Sequence, residues 1–365
     1  METITIHPAT AYEVLIEEGI LATAAEHIAK VLPPSEDGHA ATSAPRKCCV
    51  VCDKTVHQLY GQKSQPLLTG LLEAGYSVHV YVFDSGEKNK TLCTAEDLCG
   101  FLSENHFDRH DFVIALGGGV CGDLAGFASS IYMRGIPYVQ IPTTLLAMAD
   151  SSVGGKTGVN AEAGKNMLGT FWQPSIVIAD PKTLETLSKT ELLNGLAEII
   201  KAGFIGDTSI FDAISEGLAT AAAKAIQVKK NIVEEDEFEG GKRKLLNFGH
   251  TIGHAIESCS NYTVPHGFAV MTGMYLTALA ADERGWSSEP MAGFVKSIID
   301  AFAYPVYTDC TAAELAAAAK DDKKHEADNI TIIYPDRPGT CAMKELPISD
   351  LEVFIASGLT KAQGR

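Results

Sequence analysis

No stretch of the 365 residues approaches the roughly 20 consecutive apolar positions that span a bilayer, so a helical membrane protein is not expected. The opening residues, METITIHPAT, lack a basic segment and an apolar core, and read as a chain without an export signal. Positive charge is scarce: 29 Lys and Arg stand against 46 Asp and Glu, a formal net charge of −17. Such a chain repels nucleic acid and anionic membranes, and neither is an expected partner. The nine cysteines, an odd number, lie mostly in apolar segments such as KCCVVCDK, which reads as a buried strand. Cys49 and Cys52 have CxxC spacing, but no second pair completes a zinc site. Reduced thiols in a cytoplasmic protein are expected. The stretch HTIGH at 250–254 lacks the glutamate of HExxH, which excludes that metalloprotease signature.

What is present is ordinary globular composition, 46% hydrophobic and 21% charged, with length for about two domains. Strands are expected at Thr3–His7, Tyr12–Glu17, Cys48–Cys52, Ser77–Phe83, Phe112–Leu116, Tyr138–Ile141 and Ser175–Ala179. Helices are expected between them at Ile20–Val31, His57–Ala74 and Ala95–Glu104. This alternation predicts an α/β fold with a mostly parallel sheet. From about Lys189 helix periodicity takes over, including Lys244–Cys259 and Phe268–Glu283, with one late strand at Asn329–Tyr334. The expected organisation is an α/β nucleotide-binding domain over residues 1–187 and an all-helical metal- and substrate-binding domain over 188–365. The cleft between them is the expected ligand site.

Four patterns carry chemistry. Gly117, Gly119 and Gly122 form G-x-G-x-x-G between a strand and a helix, where backbone can approach a pyrophosphate; a ligand-free tight turn is the alternative. No acid follows about 20 residues on to hold a ribose, but the turn Asp84–Lys88 could take that role. The segment PTTLLAMADSSVGGKTGVNAEAGKNMLGTFWQP is long, polar and glycine-punctuated, and such segments are usually functional. His250 and His254 share one face of a helix and His266 opens the next, a pattern that suits zinc if a third protein ligand joins; a buried, hydrogen-bonded pair is the alternative. Glu198, three residues before Lys201 and flanked by apolar residues, is the candidate third ligand, unless the two form a surface ion pair. Lys156, Lys165, Lys201, Lys229, Arg243, Lys323 and Lys324 lie within or beside such motifs, which points to a small anionic ligand. If that cluster serves only the ligand, Arg243→Ala should change stability by no more than about 0.5 kcal/mol.

GGGVCGD, YMRG, PTTLLAMADSSVGGKT, GKNMLGTFWQP, GLAEIIK, DEFEGGKRKLLNFGHTIGHAIE and DDKK, in this order, resemble the 3-dehydroquinate synthase family of the shikimate pathway. The resemblance covers roughly residues 84–325. It implies a homodimer that binds NAD+ and one divalent metal, Zn2+ or Co2+. It implies metal ligands Glu198, His250 and His266, with His254 on the substrate phosphate. NAD+ would lie on Ser85, Gly86, Glu87, Lys88, Asn89 and Lys90, on Gly119, Val120, Cys121, Gly122 and Asp123, on Thr143 and Thr144, on Lys156 and Lys165, and on Thr183, Leu184, Glu185 and Thr186. Substrate contacts would be Asp150, Lys156, Lys201, Lys229, Arg243, Asn247 and one of Lys323 and Lys324, with Arg134 reaching the phosphate across the dimer interface. The chain departs from the family at HEADN, which lacks a common glycine, and at Ala202, often aromatic.

The implied reaction converts 3-deoxy-D-arabino-heptulosonate 7-phosphate to 3-dehydroquinate and phosphate. NAD+ transiently oxidises C5, phosphate is eliminated, the ketone is reduced again and an intramolecular aldol closes the ring. The substrate carries roughly three negative charges, which accounts for the lysines and arginines. Its phosphate can itself take the C6 proton, so no protein base need stand out. Another sugar phosphate cyclase would change the carboxylate-binding residues. A metal-dependent polyol dehydrogenase would release NADH and need fewer cations. A non-catalytic NAD-binding protein would have no use for the full ligand set.

Overall fold

The structure is a computed structural model and describes residues 1–7, 11–34, 45–162, 164–321 and 328–362. The chain divides into two compact units, Met1–Leu187 and Ser188–Arg365. The first comprises β1 (Glu2–Ile6), β2 (Tyr12–Ile16), α1 (Ala24–Val31), β3 (Lys47–Asp53), α2 (Lys54–Tyr60), α3 (Pro66–Glu73) and β4 (Ser77–Phe83). It continues through α4 (Leu92–Glu104), β5 (Phe112–Gly117), α5 (Gly119–Ile131), β6 (Tyr138–Pro142), β7 (Lys156–Ala161), β8 (Gly164–Phe171) and β9 (Ile176–Ala179).

Seven strands form one sheet in the order β1-β2-β9-β6-β5-β3-β4, parallel except for β1. The inner strands KCCVVCD, FVIALG, YVQIP and IVIA are almost continuously apolar because both sheet faces are covered. Alternate residues enter opposite cores: Cys48, Val50, Ile114 and Leu116 pack with α1 and α3, whereas Cys49, Val51, Val113 and Ala115 pack with α4 and α5. All nine cysteines are free. Burial pushes the Cys52 thiol up to about 12 and Cys49 well above its ordinary range, so the CxxC spacing is strand packing.

One expectation for this unit changes, and one segment with no expected element acquires a structure. The single helix at His57–Ala74 is two, because Pro66 opens α3 and its ring nitrogen cannot donate back into α2. The polar segment after β6 is ordered: a π-helical turn at Ala147–Ser151 leads into the β7–β8 hairpin, which pairs antiparallel and is bulged between Val159 and Ala161.

The second unit holds α6 (Lys189–Ile205), α7 (Ser209–Glu216), α8 (Leu218–Glu235), α9 (His250–Cys259), α10 (His266–Glu283), α11 (Ala292–Ala301), α12 (Ala312–Asp321), β10 (Asn329–Arg337), β11 (Thr340–Pro347) and α13 (Leu351–Ala362). It is mainly helical, but not all-helical as expected, because the late strand acquires an antiparallel partner in β11. Ile330, Ile332 and Leu346 of that hairpin join a core with Ile252 and Ile256 of α9, Leu276 of α10, Leu315 of α12 and Phe354 of α13. The helix expected at Lys244–Cys259 is interrupted. A short 3-10 turn at Lys242–Asn247 ends before Gly249, whose left-handed φ of 80° lets the chain restart as α9 at His250. Among the described residues no helix is long and apolar enough to cross a membrane.

Candidate active site

α6 and the first turns of α9 and α10 bring three side chains to one point. Glu198 lies on α6, buried at 3% exposure. One turn earlier on the same face, Asn194 Oδ1 accepts the Gly267 amide at 3.0 Å and docks the start of α10 against α6. His266 opens α10, and its Nε2 stands 3.4 Å from Glu198 Oε1. His250 opens α9, with Nε2 3.7 Å from the same oxygen. Ligands about 2.1 Å from a tetrahedral zinc lie roughly 3.4 Å from one another, so these spacings fit a cation between them. Neither Glu198 oxygen accepts a hydrogen bond of ordinary geometry among the described residues, which is what a carboxylate shaped for a cation would show. The Lys201 ammonium forms an ion pair with Glu198 inside the protein, so this pair is not a surface one.

Without a metal the electrostatics are opposed across the cluster. Burial works to raise the Glu198 pKa, but Lys201, then His250 and His266, hold it well below the usual carboxylate range. Burial and the Lys201 ammonium hold His250 well below the ordinary imidazole value, so it is neutral and ready to act as a ligand. Burial also acts to lower His266, but the carboxylates of Glu198 and Glu257 outweigh it and raise His266 to about 9.

The site depends on how closely α9 and α10 cross. A Cβ on Gly273 would lie 2.1 Å from the Gly249 carbonyl oxygen and 2.9 Å from the Gly253 nitrogen. Both neighbours are backbone and cannot rotate aside. Gly273→Ala should therefore push α9 off α10, destabilise the protein by about 1–3 kcal/mol and weaken metal binding. Thermal unfolding and metal titration of the variant check this; a variant unchanged in both would show that the crossing tolerates a methyl group.

The expected substrate side chains of this unit lie on elements that pack together: Lys229 on α8, Lys201 on α6, and Arg243 and Asn247 in the turn between α8 and α9. His254 sits one turn beyond His250, with ring centroids 5.2 Å apart. Asn247 Nδ2 donates to Glu239 Oε1 at 2.9 Å, a partner the sequence reading did not single out. Arg243 requires a correction. It is 1% exposed, donates Nη1 to the Glu237 carbonyl, and gives its backbone amide to Asp236 Oδ2 at 2.9 Å. A side chain this buried also supports the fold, so the near-zero stability effect expected of Arg243→Ala does not stand. Lys323 and Lys324 lie outside the described residues.

In the first unit, β4 and β5 flank β3, so the chain reverses direction across the sheet between β3 and β5. Ligands of open α/β sheets bind at the carboxyl ends of strands beside such a reversal. Many of the expected cofactor residues follow these ends: Ser85–Lys90 after β4, Gly119–Asp123 after β5, Thr143 and Thr144 after β6, and Thr183–Thr186 after β9. Asp53, at the end of β3, caps α2 and accepts from Ser85 Oγ at 2.9 Å; its only sequence signal was an acid directly ahead of a helix. Several expected residues are engaged inside the unit. Lys90 is buried, with its ammonium 2.5 Å from both Asp123 Oδ2 and Asn166 Oδ1. Cys121 Sγ turns inward toward the Val51 carbonyl at 3.2 Å. Asn160 Nδ2 donates to Glu87 Oε1, and Thr183 Oγ1 to the Asp180 carbonyl. Asp150 lies in the π-helical turn, and Lys156 and Lys165 lie on the hairpin. Arg134 is exposed in a turn where it and Met133 both adopt left-handed conformations, at φ 71° and 49°. Such strain persists only where surrounding structure enforces it; here the Trp172 indole donates to the Ile136 carbonyl just beyond the turn.

An α/β unit followed by a mainly helical unit places the chain in the dehydroquinate synthase-like fold class. The structure aligns with 2-deoxy-scyllo-inosose synthase, solved with carbaglucose-6-phosphate, NAD+ and Co2+, at a TM-score of 0.84 over 98% of this chain and 100% of that one. At 23% identity that likeness concerns the fold alone. It aligns at a TM-score of 0.81 and 30% identity with 2-epi-5-epi-valiolone synthase from Streptomyces hygroscopicus, solved with NAD+ and Zn2+, over 99% of both chains. Within that class, the family models 3-dehydroquinate synthase N-terminal and 3-dehydroquinate synthase C-terminal match residues 80–194 and 195–325. A 3-dehydroquinate synthase from Streptococcus suis is 38% identical over 360 residues, 95% of this chain and 98% of the relative. The chain belongs to the 3-dehydroquinate synthase family.

Proposed function

We propose that the protein is a 3-dehydroquinate synthase, a phosphate-eliminating lyase of the shikimate pathway that converts 3-deoxy-D-arabino-heptulosonate 7-phosphate to 3-dehydroquinate. The observation that carries this reading is the convergence of buried Glu198 with half-buried His250 and His266 in a chain of this family. In this reading residues 1–187 bind NAD+ and residues 188–365 bind the metal and the substrate's anionic groups.

Two imidazole nitrogens and a carboxylate oxygen are a common catalytic donor set for zinc, and Zn2+ or Co2+ would be held by Glu198, His250 and His266. NAD+ would accept a hydride and return it, and the metal would polarise the oxygen at the carbon being oxidised. The chain's own residues do the rest. Lys201, Lys229, Arg243, Asn247 and His254, with Asp150, Lys156 and one of Lys323 and Lys324, bind and orient the substrate's carboxylate, hydroxyls and phosphate. Lys201 keeps Glu198 ionised, and burial together with Lys201 keeps His250 neutral, the protonation states a metal ligand requires. NAD+ would be held by Ser85–Lys90, Gly119–Asp123, Thr143, Thr144, Lys156, Lys165 and Thr183–Thr186, with the backbone at the start of α5 offering amides to its pyrophosphate. The enzyme works as a cytoplasmic homodimer in which Arg134 of one protomer reaches the phosphate bound by the other.

The test is stoichiometry. Purified enzyme with the seven-carbon substrate and a trace of NAD+ should release one phosphate per substrate over many turnovers, with no matching build-up of NADH. A reaction that stops once the trace of NAD+ has become NADH, with product equal to the NAD+ supplied, would instead identify a dehydrogenase.

A further inference from the structure

The His266 ring belongs to two possible cation groups. One is Glu198, His250 and His266; the other is His254, Glu257 and His266. The geometry around the ring separates their roles. Nδ1 of His266 lies 3.0 Å from Glu257 Oε2, a hydrogen-bond distance, whereas Nε2 faces Glu198 Oε1 at 3.4 Å. Glu257 is acceptor-only when ionised, so in the neutral ring, the form that binds a metal, the proton stays on Nδ1 and Nε2 offers its lone pair toward Glu198. His250 is oriented in the same sense, with Nδ1 3.2 Å from the Phe248 carbonyl and Nε2 turned to Glu198.

We propose that Glu257 is a positioning residue for the metal, locking His266 in the tautomer and rotation that aim Nε2 at the Glu198–His250 side, rather than a ligand of a second cation. The proposal rests on the metal reading given above. Its physical basis is general: a metal-bound imidazole is fixed and made more basic by a carboxylate on its other nitrogen. Glu257 suits that task because it is 5% exposed and near the end of the same helix that opens with His250. Its own carbonyl accepts the Tyr262 amide at 2.7 Å and Ser260 Oγ at 3.0 Å, which anchors the turn leading to His266. One helix thus supplies both a ligand and the group that orients the ligand on the next helix.

The experiment is zinc competition against a chelator of known affinity, using full-length wild type, Glu257→Gln, Glu257→Ala, His266→Ala and the Glu257→Gln/His266→Ala double variant. Glu257→Gln keeps the volume and one acceptor oxygen and should weaken zinc binding about tenfold; Glu257→Ala should weaken it by up to about a hundredfold. Because Glu257 acts through His266, Glu257→Gln should add no further loss to His266→Ala, which a general packing role would not produce. Zinc binding by folded Glu257→Gln and Glu257→Ala that equals wild type overturns the proposal, as does additivity in the double variant. Loss of helical structure in Glu257→Gln also overturns it, by making Glu257 a fold residue. A wild type that binds no zinc at all removes the metal reading itself, an outcome distinct from failure of the variants alone.

Discussion

His250→Ala is expected to strip the divalent metal from a chain that remains folded, and to reduce turnover by roughly a thousandfold. His250 is the first residue of α9, so its loss removes a ligand without interrupting the helix. Two of three protein ligands would remain, Glu198 and His266, enough for weak binding but too few to keep the ion through dialysis. Polarisation of an oxygen by a bound metal contributes several kcal/mol, and about 4 kcal/mol corresponds to a thousandfold in rate. Metal analysis of the dialysed variant alongside its steady-state kinetics decides the matter, and full metal occupancy would sink the ligand assignment. The wild-type site should also compete with protons. His266, raised to about 9 by its carboxylate neighbours, must lose a proton before Nε2 can bind metal. Apparent metal affinity should therefore rise about tenfold per pH unit approaching pH 9 and flatten above it. The same shift has a stability consequence for the metal-free protein. The folded pKa is above the ordinary 6.5, so the stabilisation is fully present below 6.5 and is lost as pH rises through about 9. Metal-free protein that gains stability from His266 across that window would contradict the assignment.

Arg243→Ala is expected to damage both stability and activity, and to separate the two by comparison with Arg243→Lys. Among the described residues Arg243 is the bulkiest of the fully buried side chains, in a turn fixed by backbone donation to Asp236. Truncating a buried side chain of this size costs about 2–4 kcal/mol, equivalent to a fall in Tm of roughly 5–15 °C for a unit of this size. A charged hydrogen bond to a substrate carboxylate or phosphate contributes about 1.5–3 kcal/mol, so kcat/KM should fall roughly ten- to hundredfold beyond any loss of folded protein. Arg243→Lys keeps the charge but not the planar fork, and should recover part of the stability while remaining impaired in kcat/KM. Equal kcat/KM in folded Arg243→Ala and wild type would make the residue structural only.

The element types were largely legible because they are governed locally. Continuous apolar runs at Cys48–Cys52 and Phe112–Leu116 announce strands covered on both faces, and they occupy the middle of the sheet. Helical periodicity after Lys189 gives a mainly helical second unit. The misread boundaries have local causes of a subtler kind. Pro66 divides a stretch whose apolar pattern reads as one helix, and Gly249 ends a turn inside another. The hairpin of β7 and β8 was not legible, because its residues are polar and glycine-rich and its order comes from pairing with each other and packing against α5.

The sequence by itself determined the family, the α/β-then-helical order and the chemical inventory of the site. Those depend on which residues are present and on spacings of a few positions along one element. Only the tertiary structure decided that Glu198 from α6 stands within 3.7 Å of both ring nitrogens from α9 and α10, and that Arg243 is inside the protein. It alone assigned Glu257 to the far nitrogen of His266. The physical reason is that these relations run between helices, and depend on how closely the backbones approach. At Gly273 that approach leaves no room for a single methyl group, a constraint no periodicity within either helix records.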